Sequence, residues 1–237
     1  MSVDEAVVSI DYEEFPTLQY IIEVCEKTGI KVSIIPFYIK YIPATPYIDE
    51  VEGISLINIR KIPLDNLIAY LTKRSMDIVG ASLGLWLCSP ILLATAVGIK
   101  LTSPGNIIFK QTRIGYNRKP FTIYKFRSMR IDADQKVWSK EHDNRITKIG
   151  VFIRKCSIDE LPQLWNVLKG DMSLVGPRPE LPHFVDQFKE NIPMYMIKHQ
   201  VRPGITGWAQ VNGWRGYFSG GAYQMRHRLY RALEYLL

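Results

Sequence analysis

Cysteine is scarce in this chain of 237 residues: Cys25, Cys88 and Cys156 are the three it has. They lie far apart and match no metal-ligand spacing, which excludes a zinc ribbon or a disulfide scaffold and leaves reduced thiols. No GxGxxG loop occurs, so no dinucleotide site is read anywhere. No lysine- and arginine-rich run or basic block interleaved with aromatics is present either, so nucleic acid is not an expected partner. The first residues, MSVDEAVVSIDYEE, are acidic and lack an apolar h-region, and a cleavable leader is not expected. Charge is missing altogether from Ile78 to Ile99, IVGASLGLWLCSPILLATAVGI.

What is present narrows the class further. Hydrophobic residues make up 47% of the chain, enough to bury a sizeable core and to argue against disorder. The net charge of +7 points to an acidic partner, either anionic lipid or a phosphorylated substrate once nucleic acid is set aside. The uncharged run is long enough to span a bilayer as one helix at ~1.5 Å per residue. Ser89-Pro90 sits at its middle, where proline removes a backbone hydrogen bond. Basic residues flank both ends, Lys73 and Arg74 before it and Lys100, Lys110 and Arg113 after it. Positive charge at both ends suits a hairpin that enters and leaves on one face, with the Ser89 hydroxyl serving the interrupted backbone. A straight transmembrane helix and a buried core helix remain the alternatives.

Ahead of this run, EAVVSI, the periodic segment Phe15 to Lys27 and KVSIIPFY read as strand, helix and strand, a βαβ unit with parallel pairing. GISLINI reads as a third strand and Pro63 to Leu71 as a connector helix. Residues 1–70 thus read as a partial Rossmann-like domain. Beyond the apolar run, IIFKQ and PFTIYKFRSM predict two strands around Gly115-Tyr116-Asn117. Lys125 and Arg127 would share one strand face there, either on an active surface or as a solvated edge. Asp132, Asp134, Asp143 and Arg145 form a polar stretch, followed by ITKIGVFIRK, a basic amphipathic helix. Such a helix lies on an anionic membrane or packs on a core, and its pattern does not choose between them. Residues 180–200 read as helical with a break at Pro193.

The densest chemistry lies in RKCSIDELPQLWNVLKGDMSLVGPRP, Arg154 to Pro179. Ser157 before the acid pair Asp159 and Glu160 predicts a helix N-terminus with a capping box, and Pro162 fits just inside it. Two carboxylates flanked by Arg154, Lys155 and Arg178 suit chemistry on phosphate, and equally suit a well-capped, solvated helix start. Farther on, RPGITGWAQVNG brings glycines together with Trp208, Gln210 and Asn212, which suits ligand contact or a structural turn.

Three of these segments together, DELPQLWNVLKGDMSLVGPRP, KPFTIYKFRSM (Lys119–Met129) and RPGITGWAQVNG (Arg202–Gly213), resemble the bacterial sugar transferases, the polyprenyl-phosphate sugar phosphotransferases. The resemblance covers about Lys73 to Gly213 and is expected to fail from Tyr217, where Arg228 stands about where an acid is expected. It implies a longer parent protein, with the chain cut short at both ends. The implied fold class is α+β: a membrane-associated, mostly helical catalytic domain over 71–237, with a small β-hairpin and a re-entrant helix at about 75–100 broken at Ser89 and Pro90. The implied reaction moves sugar-1-phosphate from a nucleoside-diphosphate sugar, UDP-glucose or UDP-galactose first, to undecaprenyl phosphate on the cytoplasmic face of the inner membrane. It assigns Asp159 as nucleophile and Glu160 as its aid, both near Mg²⁺. Lys125, Arg127, Arg154, Arg178, Trp208 and Gln210 are assigned to substrate, and a homodimer is left open. The alternative reading is an inactive membrane scaffold or a polyprenyl-phosphate-binding fragment.

Overall fold

The computed structural model describes residues 5–36, 46–51, 54–58, 64, 66–130, 144–214, 227 and 229–232. Asp132, Asp134, Asp143, Pro63, Tyr217 and Arg228 lie outside them. The chain divides into two compact units, Met1–Lys61 and Ile62–Leu237.

In the first unit β1 (Glu5–Ser9) pairs in parallel with β2 (Lys31–Ile35), and α1 (Phe15–Thr28) connects them. Helix α1 starts with proline in its first turn and stops at Gly29, whose positive φ of 74° closes the C-terminus. This is the expected βαβ unit. The third expected strand is present too. As β4 (Ile54–Asn58) it pairs antiparallel with β3 (Tyr47–Val51) and extends no parallel sheet among the described residues. A connection of two residues between them allows only a hairpin, because a parallel return needs a crossover.

The second unit begins on α2, Leu67–Thr102, 36 residues in one helix. Asn66 caps it by accepting from the Ile68 N–H at 2.8 Å. The connector helix therefore merges with the apolar run, and Lys73-Arg74 interrupts nothing. Pro90 lies inside the helix and cannot donate to the carbonyl of Trp86. Ser89 Oγ donates to that carbonyl instead, at 2.7 Å, so the side chain before the proline replaces the missing bond. Only Asp77, Ala81, Thr95 and Ile99 of the helix are buried. Trp86, Leu87, Leu93 and Leu101 are 65–81% exposed, an apolar surface far larger than a soluble helix leaves to water. By length and composition α2 is the one helix among the described residues able to cross a membrane.

Cations near the start of α2 fasten it to the rest of the unit. Lys73 Nζ meets Asp77 Oδ1 at 2.6 Å, and that oxygen also accepts from Ser173 Oγ and the Leu174 N–H, each at 3.0 Å. Arg74 donates to the carbonyls of Val167 (2.7 Å) and Leu168 (2.9 Å) in the last turn of helix α4 (Gln163–Lys169). Asp77 is 3% exposed, so Asp77→Ala would strand a lysine and a backbone donor in the interior. A loss of about 3 kcal/mol is expected, read as a fall of roughly 10 °C in melting temperature in detergent. An unchanged melting temperature would show that this anchor is dispensable.

The predicted hairpin is present as β5 (Ile108–Ile114) and β6 (Pro120–Phe126), antiparallel from Ile108 opposite Phe126 to Ile114 opposite Pro120. The turn between them places Asn117 and Arg118 at positive φ. Helix α3 (Lys148–Lys155) is capped by Thr147 and turns Ile149 and Ile153 into a cluster with Ile99 and Phe126. Its other face leaves Val151 and Phe152 59% and 60% exposed. The core-packing reading therefore holds for one side of α3 only. Gly150 is required by contact, because a Cβ there would run into the Ser128 carbonyl.

After α4 come β7 (Ser173–Val175) and, after α5 (Pro182–Asn191) and a 3-10 segment Tyr195–Gln200, β8 (Gly204–Thr206). Strands β7 and β8 pair in parallel, and the chain ends its described part through α6 (Trp208–Val211) and residues 227 and 229–232. Gly176 and Gly204 cross backbone against backbone, leaving no room for a Cβ on either. That crossing sets the direction of Pro177 and Arg178. Leu229 is 2% exposed in a cluster with Val185, Phe188, Ile192, Tyr195 and Val201, so that residue contributes to the core.

Candidate active site

Asp159 and Glu160 belong to a 3-10 turn, Ile158–Glu160, set between α3 and α4. The capping box expected here is absent. Ser157 takes the left-handed conformation at φ 59° and makes no side-chain cap, and α4 begins only at Gln163. Pro162 explains the delay, since it has no N–H to give the Ile158 carbonyl, which accepts from the Leu161 N–H at 3.2 Å in a 3-10 bond instead. The left-handed residue breaks the chain direction between two helices and delivers both acids on one short turn.

Glu160 is 9% exposed, and two cations share its Oε1: Lys125 Nζ at 2.9 Å and Arg178 Nη2 at 3.2 Å. Lys125 comes from β6 and Arg178 from the turn after β7, so three separate segments converge on one carboxylate oxygen. Burial moves the Lys125 ammonium below the ordinary lysine value of 10.5, aided by the charge of Arg178, while Glu160 and Asp159 pull back. Burial likewise raises the Asp159 carboxyl above 3.8; Lys125, Arg154 and Arg178 resist that shift while Glu160 adds to it. Among the described residues both ion pairs fall on Glu160 and none on Asp159. One acid of the pair thus carries both cations, and its neighbour carries no ion pair among the described residues.

Arg154 reaches the site from the last turn of α3, with its Nε donating to Ser128 Oγ at 2.7 Å. Arg127 stays outside it. Strand β6 ends at Phe126, and the Arg127 guanidinium, 8% exposed, donates to the carbonyls of Ser103 (2.9 Å) and Pro104 (2.6 Å) and to Ser103 Oγ. It holds the turn that leaves α2, where a substrate role had been expected. Trp208 and Gln210 sit apart from the carboxylates, lining a cleft that also contains Arg178. Ser89 and Pro90 lie midway along α2, with no bond to the acid pair among the described residues.

Asn166 is a positioning residue that the pattern did not reveal. Fully buried on α4, it accepts from the Tyr124 N–H (3.0 Å) and donates to the Thr122 carbonyl (2.7 Å). Its amide continues the ladder of β6 as another strand would, and so fixes Lys125 against the turn that carries Glu160. The signal available was a lone asparagine inside the apolar run LPQLWNVL.

Comparison with known proteins identifies the family. The family model for bacterial sugar transferases matches residues 68–236, so the resemblance continues past Gly213, where it was expected to stop. A UDP-glucose:undecaprenyl-phosphate glucose-1-phosphate transferase of Escherichia coli (strain K12) is 47% identical over 171 residues, 71% of this chain and 37% of its own length. A UDP-N-acetylgalactosamine-undecaprenyl-phosphate N-acetylgalactosaminephosphotransferase of Aeromonas hydrophila is 57% identical over 141 residues, 59% of this chain and 33% of its own. A UDP-glucose:undecaprenyl-phosphate glucose-1-phosphate transferase of Xanthomonas campestris pv. campestris is 37% identical over 221 residues, 90% of this chain and 45% of its own. The chain therefore spans between a third and a half of the length of these three relatives.

Proposed function

The chain belongs to the bacterial sugar transferase family, and from that premise we propose that it transfers sugar-1-phosphate from a nucleoside-diphosphate sugar to undecaprenyl phosphate. The observation that supports this most directly is the buried Lys125–Glu160–Arg178 cluster beside Asp159. A pyrophosphate needs fixed positive charge and an oxygen nucleophile, and the cluster offers both on short, packed segments. An Asp159 oxygen attacks the β-phosphorus of the donor. The bond from that phosphorus to the bridging oxygen breaks, and the nucleoside monophosphate leaves with the electron pair. A phosphate oxygen of undecaprenyl phosphate then attacks the same phosphorus and releases the Asp159 carboxylate. Lys125, Arg154 and Arg178 bind the phosphate oxygens as charge shifts, Arg178 by virtue of a planar fork. The relatives' names place UDP-glucose and UDP-N-acetylgalactosamine beside UDP-galactose among the first donors to try.

The donor set fits Mg²⁺, which commonly takes one or two carboxylates and borrows its remaining ligands from substrate phosphates. Asp159 would supply one carboxylate and Glu160, whose Oε1 already meets Lys125 and Arg178, the other, and no group of three such side chains occurs among the described residues. Bound there, the ion would neutralise charge building on the pyrophosphate.

In this reading α2 enters the cytoplasmic leaflet of the inner membrane and returns, with Ser89-Pro90 as its bend, while Val151 and Phe152 of α3 rest at the surface. Both ends of α2 are then on one side. With the three native cysteines replaced, Leu71→Cys and Asn106→Cys should react with an impermeant maleimide from the same side of sealed vesicles. Labelling from opposite sides would mean a spanning helix. The reaction itself is tested by UMP release from UDP-sugars, using nanodisc-held protein with Mg²⁺ and undecaprenyl phosphate. Release that depends on the lipid supports the proposal. No release with any donor, from protein shown to be folded, sinks it.

A further inference from the structure

Helix α4 is buried on two sides that differ in chemistry. Leu164 and Val167 join Ala81 of α2 in an apolar cluster. Glu160, Gln163 and Asn166 are 9%, 3% and 0% exposed, whereas Trp165 is 54% exposed. The 3-10 turn runs on into α4 through Leu161 and Pro162, both in right-handed helical conformation. Residues three apart share a helix face, so these three form a buried polar stripe that starts at the acid pair. Its outer members are both bonded to β6. Glu160 accepts from Lys125 Nζ at 2.9 Å, and Asn166 meets the Tyr124 N–H and the Thr122 carbonyl at 3.0 and 2.7 Å. Gln163 lies between them and differs from both: its Nε2 is buried and has no hydrogen-bond partner among the described residues. Long side chains on a helix lean toward its N-terminal end, which here is the turn that carries Asp159 and Glu160.

We infer that Gln163 is a donor-binding residue whose side-chain amide donates to an oxygen of the β-phosphate, the group whose phosphorus Asp159 attacks. The inference rests on the transferase reading above and adds a neutral hydrogen-bond donor to its cations. An amide N–H shut away from water without an acceptor is costly. Packing alone does not require that cost, because methionine fills a similar volume and carries no donor. The carboxylates nearest in sequence, Asp159 and Glu160, do not accept from Nε2 either. The cost is accounted for when the acceptor is a ligand. Which ligand atom it is follows from the neighbours. Lys125 and Arg178 converge on Glu160 at the start of the stripe, and a phosphate drawn to these cations brings its oxygens beside Gln163. Those oxygens are charged, so the bond is stronger than one to a sugar hydroxyl. As the bridging oxygen departs with the nucleotide, the amide stays with the phosphoryl group on Asp159. In LPQLWNVL the glutamine reads only as a polar residue of a helix.

The test sets nanodisc-held wild type against Gln163→Met, which keeps the volume and removes the donor, and reads stability and binding together. The melting temperature should hold or rise, because the unmet donor is gone. UDP affinity, by calorimetry with Mg²⁺, should fall about 30-fold, the loss expected of one hydrogen bond to a charged group. UMP, which has no β-phosphate, should bind as before, and transfer from the UDP-sugar should fall at least as far as UDP affinity. Gln163→Leu serves if Gln163→Met does not fold. Failure of both to fold, or a melting temperature lower by roughly 10 °C, overturns the inference by making Gln163 structural. Unchanged UDP affinity in a folded variant, or an equal weakening of UMP, overturns it too; with transfer intact in the wild type, the transferase reading then stands. Weaker UDP-glucose with unchanged UDP also overturns it, by giving the amide to the sugar. A wild type that binds UDP but transfers nothing sinks the transferase reading alone, and the UDP titrations still decide Gln163. A wild type that binds neither nucleotide sinks both.

Discussion

Asp159→Asn is expected to lower UMP release from the donor by at least about a thousandfold, the scale for loss of a nucleophile, while membrane association and folding are kept. The amide is isosteric with the carboxylate but does not attack phosphorus. Stability should not fall, because burial already disfavours the Asp159 charge and both ion pairs of the cluster fall on Glu160. A variant that is as stable as its parent and inactive separates a chemical role from a structural one. The pH profile provides a second reading of the same group. Attack needs the carboxylate, and since burial raises its pKa above 3.8, activity should rise with pH along an acid limb above the ordinary aspartate range. Lys125 works protonated, and burial lowers its pKa from 10.5, so the alkaline limb should fall below the ordinary lysine range. Residual transfer in Asp159→Asn within tenfold of wild type would assign the attack to another group.

The elements legible in the sequence were those whose period and punctuation act locally. The βαβ start, the β5–β6 hairpin and the apolar helix follow from alternation, from turn residues at Gly115–Asn117 and from a run without charge. The site was legible in composition and not in construction. Ser157 looked like a cap, but a left-handed Ser157 and the missing N–H of Pro162 put the acid pair on a 3-10 turn. Arg127 shares the parity of Lys125 and would have shared its face, had the strand not ended one residue earlier. Asn166 escaped because burial gives it its role, and burial is decided by segments distant in sequence. The third strand went to a hairpin partner for the same reason: pairing depends on the connection, which strand propensity does not encode.

Glu160→Gln should cost both activity and stability, unlike Asp159→Asn. Glu160 Oε1 holds Lys125 and Arg178 together, with its own side chain 11% exposed and the lysine's 17%. A neutral amide there leaves two cations facing each other in a poorly solvated space. Removing one partner of such a cluster costs about 3–5 kcal/mol, and the melting temperature should fall by roughly 10 °C. Transfer should drop by about a hundredfold or more, because Lys125 and Arg178 no longer converge where the phosphate must sit. Adding Lys125→Met to Glu160→Gln removes one of the stranded charges, so part of the stability should return while activity does not. That non-additivity is the signature of a shared cluster. Equal and additive losses would mean that the three side chains act independently. If so, Glu160 is one carboxylate among several and does not organise the positive charge next to Asp159.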